Sequence, residues 1–290
     1  MTQRSDNFPS KTILITIDLE DWFQVENLRP VFPISTWDSQ ELRIKQNTHT
    51  LLDLFDRHNI QATFFVLGWL AKRHPSLVRD IQNQGHEIAS HGHNHQLCSE
   101  LSLTELRNDL IESKAILENM TGQQIRGYRA PNFSLSEELI TIIAELGFKY
   151  DSSYNNFSLN KRYGKPSGLF NPSANGYLTT RNGFVELPLS NLNFAGKAIP
   201  WSGGGYFRFW PSPVFHSGIK HILKKTGYYV FYCHPWEIDP EQPRISSIGA
   251  LSRFRHYLNL DKTLDRLDRL FTAFKDCNFM TCSNYLGLQG

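Results

Sequence analysis

Four histidines fall within residues 86–95, and two of them, His91 and His95 in the run SHGHNH, stand four apart. On one helical turn or in a tight loop, that spacing brings two imidazoles together, as metal-binding HxxxH pairs do. No glutamate follows His91, so the HExxH protease pattern is not met, and His86 and His93 are expected to point elsewhere. A second concentration of chemistry lies in TIDLEDWFQVE, residues 16–26, where Asp18, Glu20 and Asp21 crowd together after a strongly apolar run. Carboxylates this close repel one another unless a cation neutralises them or one takes a proton. Together the clusters predict a metal held by His91, His95 and an acidic residue of the 18–21 group, with open positions for water.

Two weaker signals follow. GYRAPNFSL, residues 127–135, sets Arg129 and Pro131 after a short strand candidate. An arginine beside a catalytic carboxylate holds it ionised and oriented. FYCHPWEID, residues 231–239, ends an apolar strand on His234, with Trp236 next but one. A histidine there suits a general acid, because its ordinary pKa lies near neutrality.

The elements that must hold these side chains alternate along the chain. Strand-like runs at 12–18, 61–67, 86–91, 127–130, 228–233 and 279–282 are separated by helical patterns at 46–58, 75–84, 104–119, 136–146 and 258–274. This alternation predicts an α/β fold around a buried parallel sheet. Ser102 with Glu105 reads as a capping box, Ser136 as a second helix start, and Gly85 and Gly147 as stops. The acidic cluster and His91 then sit at strand C-termini, where barrel enzymes place their catalytic groups. Residues 154–209, rich in Asn, Gly, Ser and Pro, break the rhythm and read as loops with hairpin-like strands such as 183–189. They are expected on the substrate side.

Bulk composition narrows the classes. A chain of 290 residues, 40% hydrophobic, has material for one large core,. With 30 basic against 28 acidic residues it lacks the charge balance of a nucleic-acid binder,. No apolar run approaches the roughly 20 residues that span a bilayer. Residues 1–11 lack the charged-then-apolar layout of a secretory signal,. Cys98, Cys233, Cys277 and Cys282 form no CxxC pair and read as small buried residues of a reducing compartment, so the protein is expected in the cytoplasm.

In order, the acidic strand end, HxxxH, Arg-x-Pro and late strand histidine resemble the polysaccharide deacetylase family, the NodB-homology or chitin-deacetylase-like group, over residues 12–239. TIDLEDWFQ, GYRAPNFS, PWSGGGYFR and FYCHPWE are similar to a branch found with bacterial exopolysaccharide gene clusters. The resemblance implies a distorted (β/α)₇ barrel as a single catalytic domain over 1–290. Its NodB-like core would run over about 12–239, with a loop-rich insertion around 154–209, and the helix and strand of 248–285 would complete it. The implied activity is metal-dependent hydrolysis of a non-peptide carbon–nitrogen bond. It removes N-acetyl groups from a poly- or oligosaccharide in exopolysaccharide biosynthesis or modification.

By that resemblance Asp18 matches the catalytic base, His91 and His95 the metal ligands, Arg129 the residue orienting the base, and His234 the catalytic acid. Motif one departs from the usual Asp-Asp-Gly, since Leu19 intervenes and no Gly follows. Glu20 is the first choice as acidic ligand and Asp21 its rival. The acid's usual Asp partner has no match; Glu186 in FVELPLS lies in the right region. Zinc is favoured for such a donor set, with cobalt, nickel or iron compatible. The backbone N–H of Tyr128 or Arg129 would help hold the oxyanion. Tyr128, Pro131, Trp201 and Trp236 are expected along the glycan substrate, and Trp22, Phe23, Tyr206 and Trp210 are further candidate ring faces. The glycines of 203–205 would let backbone approach a ligand closely. Competing readings are an O-acetyl esterase, a small cyclic-amide amidohydrolase on the same barrel, and a catalytically silent carbohydrate-binding relative. Possession of both base and acid argues against the last.

Overall fold

The run TILITIDL is β-branched at five of its eight positions, which favours extended backbone,. In the computed structural model it forms β1 (Thr12–Leu19), buried at every residue. The structure describes residues 11–157, 163, 168–173, 177–180 and 182–288; residues 1–10, on which the secretory-signal reading rests, lie outside them. Then come α1 (Ile44–Arg57), β2 (Thr63–Val66), α2 (Gly68–Arg73), α3 (Pro75–Asn83), β3 (Glu87–Ser90) and α4 (Leu103–Thr121). They are followed by β4 (Gly127–Tyr128), α5 (Glu137–Glu145) and β5 (Tyr150–Asp151). Five short strands lie among the described residues of the loop-rich stretch: β6 (Asn171–Pro172), β7 (Leu178–Thr179), β8 (Val185–Glu186), β9 (Asn191–Phe194) and β10 (Lys197–Pro200). The chain ends with α6 (Gly204–Phe209), α7 (Ser212–Thr226), β11 (Tyr228–Cys233), α8 (Ala250–Tyr257), α9 (Leu260–Ala273), β12 (Asn278–Phe279) and α10 (Cys282–Tyr285).

Among the described residues seven strands run parallel in the order β11-β1-β2-β3-β4-β5-β8, and β12 pairs with β1, also parallel, off this path. Closure from β8 back to β11 uses single contacts. Val230 N donates to Ser190 Oγ at 2.9 Å, Tyr232 N donates to Ser202 O at 2.8 Å, and Gly203 bridges Tyr232. This is the distorted (β/α)₇ barrel expected. Gly203 is required by the closure itself: at φ 138° its backbone lies so near β11 that a Cβ would fall 2.0 Å from Tyr232 O. The close approach expected toward a ligand is made to the barrel's own strand.

Strand side chains alternate between two cores. Ile13, Ile15 and Ile17 face the helix layer, while Leu14 joins Phe65, Ala89, Tyr150 and Val230 in a small cluster at the barrel axis. Above that plug the interior turns polar, because Thr16 and Asp18 follow Leu14 on the same face,. α4 starts with the Ser102–Glu105 capping box and ends at Gly122, φ 66°. Two expectations shift in the second half of the chain. The last strand is Asn278–Phe279, and Cys282 starts a helix capped by Thr281. The glycines of 203–205 lead into α6 rather than a loop.

Candidate active site

Both histidines of the expected metal set stand on the segment leaving β3. His91 continues the sheet, donating its N–H to Val66 O at 2.9 Å. The following residues form a loop, with Gly92 at φ 76° and His95 at φ 52°. A side chain on Gly92 would meet Asp109 Oδ2 at 2.8 Å. That carboxylate, from α4, clamps the loop by accepting from His93 N at 2.8 Å and Asn94 N at 3.2 Å. His95, Asn132 and Phe133 all hold left-handed backbone and all line the same cleft. Non-glycine residues keep such conformations only where their surroundings impose them, commonly at ligand sites.

His91 Nδ1 lies 2.7 Å from Arg129 O. A carbonyl only accepts, so Nδ1 carries the proton and Nε2 presents its lone pair. That Nε2 is 3.0 Å from Glu20 Oε1, and His95 Nε2 is 2.9 Å from the same oxygen. Glu20, His91 and His95 thus form a buried donor set able to hold a divalent ion,. Burial would push the Glu20 carboxyl up, but His95, His234 and His91 outweigh it and hold it well below the usual range.

Asp21 is turned away from this set. Its carboxylate accepts from Trp22 N at 2.8 Å, Arg43 N at 2.8 Å and Ile44 N at 2.9 Å. It caps a short helical turn and ties it to α1, and burial pushes it up to about 6 against those N–H groups. Asp21 as a rival metal ligand is therefore corrected, because its oxygens are committed to backbone.

Asp18 Oδ1 accepts from Arg129 Nη1 at 2.7 Å. Arg129 is wholly buried, and its other N–H groups go to Thr16 Oγ1, Ser152 O and Ser152 Oγ. Its guanidinium also lies 4.1 Å over the Phe65 ring, so the fork has no freedom to swing,. His234 Nε2 stands 3.9 Å from Asp18 Oδ2 and 3.7 Å from Glu20 Oε1.

Glu237, which the sequence reading did not single out, completes this side. His234 Nδ1 donates to Glu237 Oε1 at 2.8 Å, and Arg208 Nε donates to Glu237 Oε2 at 2.6 Å. Arg208 Nη1 continues to the carbonyls of His256 and Leu258, at 2.9 and 2.8 Å. Burial presses the His234 imidazole down, but Glu20, Glu237 and Asp18 together overcome it and raise it to about 9. The sequence held a signal: in HPWE, Pro235 follows the histidine and a Glu stands three residues on, the pattern of a helix start,. Glu186 does not partner the acid. It accepts from Tyr154 N at 2.9 Å and pairs with Asp151 across β5 and β8.

Over these groups opens a cleft of about 870 Å³, with Asp18, Glu20, His95 and His234 among its lining and Phe133, Tyr206, Tyr232 and Phe254 on its walls. Tyr128, Pro131, Trp201 and Trp236, expected along the substrate, are buried and not part of that lining. Tyr128 sits inside the sheet with its hydroxyl 3.6 Å from Cys98 Sγ, and Pro131 starts the turn before Asn132. Trp201 stacks on Phe215 at 5.3 Å, and Trp236 is layered between His234 and His256. Of the other candidate ring faces, Tyr206 lines the cleft, while Trp22 and Phe23 are core and Trp210 packs on Trp201. The Arg129 N–H is spent on Ser90 O at 2.9 Å, which removes it as an oxyanion donor.

Residues 7–150 match the polysaccharide deacetylase family, and residues 152–287 match a second family described as a domain of unknown function, DUF3473. The chain is 33% identical over 101 residues to a peptidoglycan-N-acetylglucosamine deacetylase of Bacillus cereus, covering 35% of this chain and 37% of that protein. It is 34% identical over 101 residues to a chitooligosaccharide deacetylase of Sinorhizobium fredii, covering 34% and 47%. The chain thus spans less than half the length of these curated relatives. Among solved structures, a CE4 family pseudoenzyme from Bacillus anthracis superposes with a TM-score of 0.55 at 14% identity, covering 96% of this chain and 66% of that one. At that identity the likeness speaks for the fold alone. With its first half matched over the segment that carries Asp18, Glu20, His91, His95 and Arg129, the chain belongs to the polysaccharide deacetylase family.

Proposed function

We propose that this protein is a metal-dependent hydrolase that removes the N-acetyl group from an acetamido sugar of a poly- or oligosaccharide. The observation that carries the reading is one buried floor holding three separate functions. A two-histidine, one-carboxylate donor set stands beside a carboxylate fixed by arginine and a histidine tied to its own carboxylate. The names of the curated relatives as N-acetylglucosamine and chitooligosaccharide deacetylases support it.

Glu20, His91 and His95 would hold the ion, zinc by preference and cobalt, nickel or iron by compatibility. Such an ion polarises the acetyl carbonyl and makes water acidic enough to react near neutral pH. The protein's own groups do the rest. Arg129 holds Oδ1 of Asp18, leaving Oδ2 facing His234 across 3.9 Å, placed to take a proton from the attacking water,. Glu237 fixes the Nδ1 side of His234, so Nε2 faces the cleft and can hand its proton to the departing amine,. Water's oxygen joins the acetyl carbon, the carbon–nitrogen bond breaks, and acetate and an amino sugar result.

The two matched segments are read as one catalytic domain. β11 pairs with β1 along six residues, and the second segment supplies His234, Glu237, Arg208 and part of the cleft wall. A role in exopolysaccharide biosynthesis or modification is proposed from the motif phrases. Against the silent-relative reading, Asp18, His234 and the Glu20, His91 and His95 donor set all face one site.

The test is acetate release from N-acetylated oligosaccharides, set beside O-acetylated ones, by protein whose metal content is measured. Acetate from the amide substrates, lost on chelation and restored by zinc, is expected. Metal-loaded protein that releases acetate only from esters, or from nothing, removes the proposal.

A further inference from the structure

Three large apolar side chains stand exposed in the lining of the cleft: Phe209 on α6, and Leu251 and Phe254 on α8, at 55%, 63% and 52% exposure. Leu251 and Phe254 are three residues apart on one helix and share its outward face, while His256 of the same helix is buried on Trp236,. A helix face turned to water normally carries polar groups, and apolar side chains clustered there mark a contact surface. Along α8 and the segment leading into it the charge has one sign, while the acidic groups of the cleft lining are Asp18, Glu20 and Glu26. Residues 242–260 contain Arg244, Arg253 and Arg255 and no aspartate or glutamate. All three arginines are exposed.

We infer that the mouth of the cleft docks on an anionic lipid bilayer, so that the sugar is presented from a glycan carried on a lipid. An apolar helix face rimmed by arginine enters the boundary between headgroups and acyl chains, and the cations engage lipid phosphates. A neutral glycan chain accounts for the patch less well. Leu251, the most exposed of the three, offers no ring to stack on a sugar, and the arginines would find no charge to meet. A second copy of the chain fits less well too, since paired α8 helices would set arginines against arginines. The substrate half of this inference rests on the deacetylase reading; the docking half does not.

The test is co-sedimentation of the full chain with vesicles of phosphatidylglycerol and phosphatidylcholine, and with phosphatidylcholine alone. Ionic strengths of about 0.1 and 1 M are compared, where the screening length falls from roughly 10 to 3 Å. Binding to the anionic vesicles that weakens with salt is expected. Arg253→Gln should weaken it by roughly fivefold, the worth of one basic residue at an anionic leaflet. Leu251→Ser with Phe254→Ser should weaken it by roughly tenfold or more, from the lost apolar burial. Both variants should keep the wild-type melting temperature, because these side chains face solvent. Absence of binding to anionic vesicles, or equal binding by wild type and both variants, overturns the docking surface. So does self-association of the free protein that the double variant abolishes. Vesicle binding without acetate release from any N-acetylated glycan would remove the deacetylase reading and keep the surface. Acetate release from a soluble oligosaccharide without vesicle binding would do the reverse. The lipid-carried substrate stands if a glycolipid in anionic vesicles is turned over with a higher kcat/KM than its free oligosaccharide, and falls if it is not.

Discussion

Replacing Glu237 with glutamine keeps the size of the side chain and removes one negative charge from His234. The contact is 2.8 Å from Nδ1 to Oε1, with Glu237 buried and His234 open to the cleft on its other side. Opposite charges about 4 Å apart at an effective dielectric near 20 interact by roughly 4 kcal/mol, which is about three pKa units at most. Neighbouring charges in proteins more commonly move a pKa by about one to three units. In the metal-free protein burial lowers His234, while Glu20, Glu237 and Asp18 raise it to about 9. A dication in the proposed site would offset the share from Glu20, so in the metal-loaded protein Glu237 would carry more of what remains. The acid form exists below its pKa, hence activity falls as pH rises through it. Glu237→Gln should move that falling limb to lower pH by about one to three units. It should also leave Arg208 buried without its carboxylate, at a cost of about 3–5 kcal/mol in stability. The sign can be checked on metal-free protein. A histidine whose folded pKa lies above its unfolded value stabilises fully below pH about 6.5 and loses that contribution as pH rises toward about 9,. The variant should lose it at lower pH. The assay is kcat against pH with metal content and thermal unfolding measured on the same samples. A falling limb that stays in place, with kcat unchanged at full metal occupancy, would refute the idea that Glu237 tunes and positions the acid.

His91→Ala and His95→Ala should each lower metal occupancy and abolish hydrolysis while the barrel stays folded; full metal retention by elemental analysis in both would remove the assigned site. Glu20→Gln should weaken metal binding by about tenfold or more. Asp21→Asn should keep the metal and lower the melting temperature, since an amide cannot accept all the N–H groups Asp21 serves, a loss of about 1–3 kcal/mol. The opposite pattern in metal titrations would make Asp21 the ligand. Asp18→Asn should hold metal normally yet lose turnover, and a variant with wild-type rate would show that the proton goes elsewhere. His234→Ala should slow acetamide hydrolysis by roughly 10²–10⁴-fold and an ester with an acidic alcohol by less; equal losses would make His234 a positioning group.

The sequence carried most of the scaffold. The run YYVFYC became β11 over the same residues, 228–233, because a strand buried on both faces leaves an unbroken apolar signature,. Helix starts at Ser102 and Ser136 were readable because a cap acts within one turn of its own sequence,. Of the short strands, β4 and β8 fall inside the runs read at 127–130 and 183–189, while β5 went unread, since a two-residue strand has no period to detect and exists only through its neighbours,.

The candidate site residues were likewise legible in sequence: His91, His95 and the carboxylates of the 18–21 group stand out by type, spacing and position after strands, and Arg129 more weakly. Their partners were not. Glu20 and Asp21 are adjacent carboxylates after one strand, and only the return of the chain at Arg43 and Ile44, 22 and 23 residues on, takes Asp21 for backbone. Arg129 reaches Asp18 across 111 positions, and Arg43 closes on Asp239 across 196. Trp201 went to the core because Phe215 stacks on it, and Trp236 because His256 covers the face that His234 leaves. Local pattern decides what a segment becomes, since capping and alternation act over a few residues. Which oxygen meets which donor is decided by contacts between distant segments, and only the closed barrel brings those together.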